Sequence, residues 1–203
     1  MCYNIPMKIL VLSDTHGKLN MVRDIWPKLN GVDLVIHAGD YDSDAKAIQR
    51  EFGVPVTFVK GNCDGCFAST VCDSAGGDYA IVNTEAGKIL VTHGHCEHAG
   101  YSLDRLRYKA LEEGCMAVVY GHTHVAKIEQ TEESGVPGGQ LWFINPGSLP
   151  LPRDGSGGSY GIIRASEDRF DATIVYYNTI MGNGRKTGGK GYVSSLLNYS
   201  DRF

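Results

Sequence analysis

Apolar residues fall along this chain in short runs separated by amphipathic stretches. Met7–Ser13 (MKILVLS) is almost continuously apolar, the pattern of a strand buried on both faces. Leu19, Val22, Trp26 and Leu29 then recur at helical spacing, and Pro27 predicts a kink or an end to that helix. Asp33–Ala38 (DLVIHA) reads as a second strand. Ser43–Phe52 reads as a helix capped by Ser43 and stopped by Gly53, and Val56–Lys60 as a third strand. Further on, Tyr79–Asn83 and Lys88–Thr92 flank Glu85-Ala86-Gly87 and predict a hairpin. Leu103, Leu106, Ala110 and Leu111 mark one face of a helix over 102–113, and Ala117–Tyr120 (AVVY) is another buried strand. Antiparallel-looking runs come next at Gln140–Ile144, Tyr160–Arg164 and Asp171–Tyr177. The Gly/Ser-rich stretch Asp154–Ser159 predicts a loop, and Gly182–Gly191 a mobile tail. The reading is α/β early and more antiparallel β late. It predicts one domain over 7–180, a leader at 1–6 and a tail at 181–203.

Composition narrows the function classes. A chain of 203 residues with 42% hydrophobic and 21% charged residues is ordinary for a soluble globular domain. A formal net charge of −4 argues against stable nucleic-acid binding, which needs a basic surface to displace counterions. No apolar run approaches the ~18 residues of a membrane span, and no signal-peptide pattern precedes the first strand. The six cysteines show no framework spacing and read as reduced thiols. Together these features predict a cytoplasmic protein with no membrane association.

The chemistry lies in the polar clusters that end the strands. Asp14 and His16 come after the first (LSDTHG), Asp40 after the second (HAGD), and Asn62 and Asp64 after the third (KGNCD). His93 and His95 close the fifth (VTHGH), and His122 and His124 come after AVVY (YGHTH). In open α/β sheets the carboxyl ends of strands line the ligand crevice, so these clusters can converge in space. Imidazoles, carboxylates and an amide oxygen form a nitrogen and oxygen donor set suited to Mn²⁺, Fe, Zn²⁺, Ni²⁺ or Co²⁺ rather than Ca²⁺.

The ordered series Asp14-x-His16, Gly39-Asp40, Gly61-Asn62-x-Asp64, His93-Gly94-His95 and Gly121-His122-Thr123-His124 resembles the calcineurin-like metallophosphoesterase superfamily. Asn145-Pro146-Gly147-Ser148 lies beyond it, and with the short length and the Cys after Asn62 it resembles the small YfcE-type phosphodiesterase branch. The resemblance implies two packed mixed β-sheets flanked by helices, a four-layer sandwich. It implies two divalent ions, Mn²⁺ foremost. Asp14, His16, Asp40 and His124 would hold one ion. Asp40, Asn62, His93 and His122 would hold the other, with Asp40 bridging. It implies hydrolysis of a small phosphate ester, a diester above all, by a hydroxide shared between the ions and attacking phosphorus in line. It also implies a homodimer or homotetramer.

One position departs from the family. Many members carry a histidine after the motif asparagine, and here that residue is Cys63. His95 is the candidate to replace it in proton delivery or substrate contact. Asn62 and Arg153 are further candidates to contact substrate, since a guanidinium suits a phosphate. His37, in mid-strand, reads as a core or supporting histidine rather than a ligand, and His98 as surface. Cys63-x-x-Cys66 has no second pair, which argues against a zinc or redox motif. Asp64 reads as fixing its turn, and 145–148 as a turn beneath the site. Two other functions fit the same fold: a non-catalytic protein-binding scaffold resembling the retromer subunit, and a phosphomonoesterase.

Overall fold

The structure, a computed structural model, describes residues 5–64 and 78–182. Residues 1–4 of the expected leader, Cys66 and the tail beyond Gly182 lie outside them. Among the described residues, ten strands form two five-stranded sheets. The first has the order β10-β9-β1-β2-β3, from β1 (Met7–Leu12), β2 (Leu34–His37), β3 (Val56–Phe58), β9 (Ser159–Ser166) and β10 (Arg169–Tyr176). The second runs β4-β5-β6-β8-β7, from β4 (Tyr79–Thr84), β5 (Gly87–Thr92), β6 (Cys115–Val119), β7 (Ala126–Glu132) and β8 (Gln140–Pro146). Each sheet has a parallel core of three strands, β1-β2-β3 or β5-β6-β8; the antiparallel β9 and β10 extend the first on one side, and the antiparallel β4 and β7 flank the second on both.

Strand alternation explains how the layers stack. On β1, Ile9 and Val11 join Ile36, Val91, Val119 and Phe143 in one apolar cluster. Leu10 and Leu12 instead join Val22 and Ile25 of α1 (Asn20–Ile25) and Ile48 of α2 (Asp42–Phe52) in a second. A strand buried on both faces must be apolar at every position, which is what its sequence shows. Leu106 and Ala110 of α3 (Asp104–Glu112) extend the first cluster beyond the second sheet. The short α4 (Tyr177–Met181) comes directly after β10 and packs near α1.

Local departures from the sequence pattern have physical causes. The first helix stops at Ile25 and tightens into a 3₁₀ turn over Trp26–Lys28, with Pro27 where its missing N–H is tolerated. The second helix begins at Asp42, without the expected Ser43 cap. Tyr41 before it is left-handed (φ 75°), and the Asp64 carboxylate accepts the Asp42 N–H at 2.7 Å. The strand Ala126–Glu132 escaped the pattern because it is an edge strand, with Glu and Gln outward and little apolar alternation. Gln140–Pro146 is antiparallel only to that edge strand; it runs parallel to β6.

Phe143 is 2% exposed and sits in the cluster shared by β5, β6 and β8. Phe143→Ala should therefore lower the stability read by urea unfolding by about 3–5 kcal/mol. A loss below about 1 kcal/mol would show that this cluster is not packed as described.

Candidate metal centre

The polar clusters begin where the parallel strands of both sheets end, and hydrogen bonds join the two ends directly. His93, after β5, donates Nδ1–H to the Ala38 carbonyl after β2 at 2.8 Å. The His122 N–H, after β6, reaches Asp14 Oδ2 at 3.1 Å, and Ser148 Oγ donates to the Asp14 carbonyl at 2.8 Å. The backbone turns sharply at these points. Asp14, His16, Asp40, His122 and His124 all adopt left-handed φ, between 45° and 66°. Each such residue costs on the order of 1–3 kcal/mol and persists only where its surroundings hold it. Two glycines make the approach possible. A Cβ on Gly61 would lie 2.1 Å from Asp40 Oδ1, and one on Gly121 would lie 1.9 Å from Ser13 Oγ.

Two donor groups result. In the first, one ligand-type atom each from Asp14, His16, Asp40 and His124 lies within 4.8 Å of all the others. His124 donates Nδ1–H to the Leu151 carbonyl at 2.7 Å, which turns Nε2 inward, 3.1 Å from Asp14 Oδ1. His16 Nε2 lies 3.4 Å from His124 Nε2 and 3.6 Å from Asp40 Oδ2. Asp14 is fully buried, and its Oδ1 has no hydrogen-bond partner despite the nearby imidazole. A buried carboxylate oxygen facing ring nitrogens without a shared, well-aligned proton is a place for a cation. Burial pushes the Asp14 carboxyl up, but His124, His93 and Ser13 outweigh it and hold the group below the usual carboxylate range.

The second group is built in the same way. The Ala38 carbonyl fixes the His93 tautomer, so Nε2 faces Asn62 Oδ1 at 3.1 Å and Asp40 Oδ1 at 3.4 Å. His122 Nδ1 lies 3.1 Å from the same Asn62 oxygen. Burial and the neighbouring His93 hold His122 below the ordinary histidine range, which favours the neutral ring. Asp40 thus turns Oδ2 to one group and Oδ1 to the other, and the Cys63 N–H donates to Oδ1 at 2.9 Å. Nitrogen and oxygen donors of this kind suit a divalent cation.

The remaining candidates sit around this centre. His95 stacks at a tilt beside His93, with ring centroids 5.2 Å apart, and its Nδ1 is buried without a partner. Burial, then His93, lowers its pKa. Crowding around the sulfur of Cys63, then Asp40, pushes that thiol up to about 11. Arg153 is exposed and donates its backbone N–H to the His124 carbonyl at 2.9 Å. Asp64 accepts from Gly61 N at 2.8 Å and from Asp42 N, the turn-fixing role its position predicts. His98 is exposed. Asn145 donates to the Gly121 carbonyl at 2.9 Å and Thr123 Oγ1 at 3.0 Å, holding the loop that carries His122 and His124.

Sequence reasoning missed Asp44. It is buried on α2 and accepts from Thr15 Oγ1 at 2.6 Å and Gly17 N at 2.8 Å, which clamps the loop carrying Asp14 and His16. The only signal of Asp44 in the sequence is an acidic residue four positions after Asp40 in a helix. Thr15 spends its proton on Asp44, so its oxygen accepts from His37 Nε2–H at 2.9 Å. Burial keeps His37 neutral, with its pKa lowered, and places it as a support beneath the loop.

Residues 7–168 match the calcineurin-like phosphoesterase superfamily domain. A probable metallophosphoesterase of Bacillus subtilis, YsnB, is 35% identical over 85% of this chain and 91% of its own length. The Escherichia coli phosphodiesterase YfcE is 27% identical over 77% of this chain and 87% of its own. Vacuolar Protein Sorting 29 from Cryptosporidium parvum superposes with a TM-score of 0.61 over 85% of this chain and 98% of its own. At 17% identity that likeness shows the fold alone.

If the first donor group is shaped for a cation, its stability without one should improve when the stranded oxygen becomes a donor. Asp14→Asn can keep an oxygen toward Ser13 and His122 and turn its NH₂ toward His124. In chelator this variant should melt at or above the wild-type temperature, and excess Mn²⁺ should raise the melting temperature of the wild type only. A variant that melts several degrees lower in chelator, or a wild type indifferent to Mn²⁺, would overturn the fit.

Proposed function

The chain belongs to the calcineurin-like phosphoesterase superfamily, and we propose that within it this protein is a dimetal phosphodiesterase. The observation that carries the proposal is the pair of donor groups sharing Asp40, one carboxylate oxygen turned to each. When bound, two divalent ions, Mn²⁺ foremost, supply Lewis acidity toward phosphoryl oxygens and make water a nucleophile at neutral pH.

The chain's own residues prepare that chemistry. The Leu151 and Ala38 carbonyls fix the tautomers of His124 and His93, so that in the neutral rings both Nε2 lone pairs face the centre. The Asp44, Asn145 and Ser148 contacts hold the loops against the strain of their left-handed residues, so little reorganisation remains when substrate arrives. His95, beside His93, and Arg153, whose backbone N–H bonds to the His124 carbonyl, are the candidates to touch an ester. Cys63 stands where an imidazole would donate a proton to the leaving group, and a thiol does this poorly. That substitution favours esters whose leaving groups need little acid assistance, and the kinship with a phosphodiesterase at 27% identity supports the diester reading. The donor set together with the kinship to a phosphodiesterase is the ground for preferring the enzyme over a protein-binding scaffold of the same fold. No helix among the described residues is long and apolar enough to cross a membrane.

With Mn²⁺, bis(p-nitrophenyl) phosphate should be hydrolysed faster than p-nitrophenyl phosphate. Asp40→Asn and His93→Ala should each cut kcat/KM by on the order of 10³-fold while the circular dichroism spectrum stays that of the wild type. A preference for the monoester would favour a phosphomonoesterase. Wild-type rates in either variant at saturating metal would remove these residues from the centre.

A further inference from the structure

Beside His16 opens a cavity of about 390 Å³ that the donor groups do not use. The chain from Gly17 to Met21 lines it, together with Arg23 and Pro150. A space of this size accepts a small-molecule group. Its lining is linked to the centre along the chain. Gly17 comes directly after His16, and Pro150 precedes Leu151, whose carbonyl orients His124.

The charge of the cavity is unbalanced. Arg23 is neutralised by a two-pronged contact with Glu51, at 2.6 and 2.8 Å, and its third nitrogen is held by Asn20 Oδ1 at 3.0 Å. Lys18 is exposed, and its ammonium makes no hydrogen bond or ion pair among the described residues. In a chain of net charge −4, a lining whose one unmatched charge is positive selects for an anion. Met21 and Pro150 add apolar surface against which the connecting part of a ligand can lie.

We propose that this cavity seats a negatively charged arm of the substrate, so that the ester cleaved is a diester carrying a further anionic group, with Lys18 as the residue that selects it. The proposal rests on the phosphodiesterase reading for the scissile bond but concerns a separate contact. Lys18 binds here as a mobile point charge, a role suited to a terminal phosphate.

Calorimetry of the full-length, Mn²⁺-loaded protein with thymidine 3′,5′-bisphosphate and thymidine 5′-monophosphate tests the contact without turnover. The wild type should bind the bisphosphate roughly tenfold more tightly, and Lys18→Glu should erase that difference while the melting temperature holds. The advantage should also shrink with added salt, as for an exposed charge contact. In kinetics, Lys18→Glu should raise KM for thymidine 3′-phosphate 5′-(p-nitrophenyl phosphate) by roughly tenfold more than KM for bis(p-nitrophenyl) phosphate. Equal affinity of the wild type for the two nucleotides, absence of binding, or a difference that survives in Lys18→Glu would each overturn the proposal. No hydrolysis of either ester with the binding difference intact would sink the hydrolase reading, and with it the ester named here, while the anion contact at Lys18 would stand.

Discussion

The structure turns on the joining of two sheets through polar atoms at their carboxyl ends. Elsewhere the sheets meet through Ile, Val and Phe side chains, which attract without direction. At the ends the contact changes character. A ring N–H meets a carbonyl across the interface, a backbone N–H meets a buried carboxylate, and a serine hydroxyl meets a carbonyl. Such bonds contribute modestly when made but are costly when left unmade in a low-dielectric interior. They therefore fix the relative position of the sheets to within hydrogen-bond tolerance, and every donor of the centre inherits that precision.

This arrangement concentrates unfavourable local choices in one place. Five left-handed non-glycine residues, a buried carboxylate oxygen without a donor and a cluster of imidazoles would each be disfavoured in an ordinary core. The compensation is spread through supports that carry no ligand role: Asp44 under the first loop, Asp64 under the third, Asn145 under the last. Local rules broken together, and braced together, mark a functional site.

Much of this was legible in the chain because strands buried on both faces read as plain apolar runs, and the polar residues that end them stand out by contrast. The two-sheet architecture came from the resemblance, since periodicity alone does not say which strands share a sheet. Ala126–Glu132 was invisible because an edge strand facing solvent keeps little alternation. Ser43 fits a cap by local pattern, but a carboxylate twenty-two residues away accepts the Asp42 N–H instead. Asp44, Thr15 and the orienting carbonyls of Ala38 and Leu151 act through contacts between distant segments. Backbone carbonyls leave no trace in residue identity at all.

The position of Asp40 carries one more implication. Its two oxygens belong to a single delocalised charge, turned to both donor groups at once. If each half holds an ion, charge drawn toward one side is charge withheld from the other, and the affinities of the two halves cannot be set separately. By thermodynamic linkage, whatever occupies one half alters the other by the same factor in return. The centre would then fill and empty as a correlated pair, and its selectivity among metals would be a property of combinations rather than of single ions.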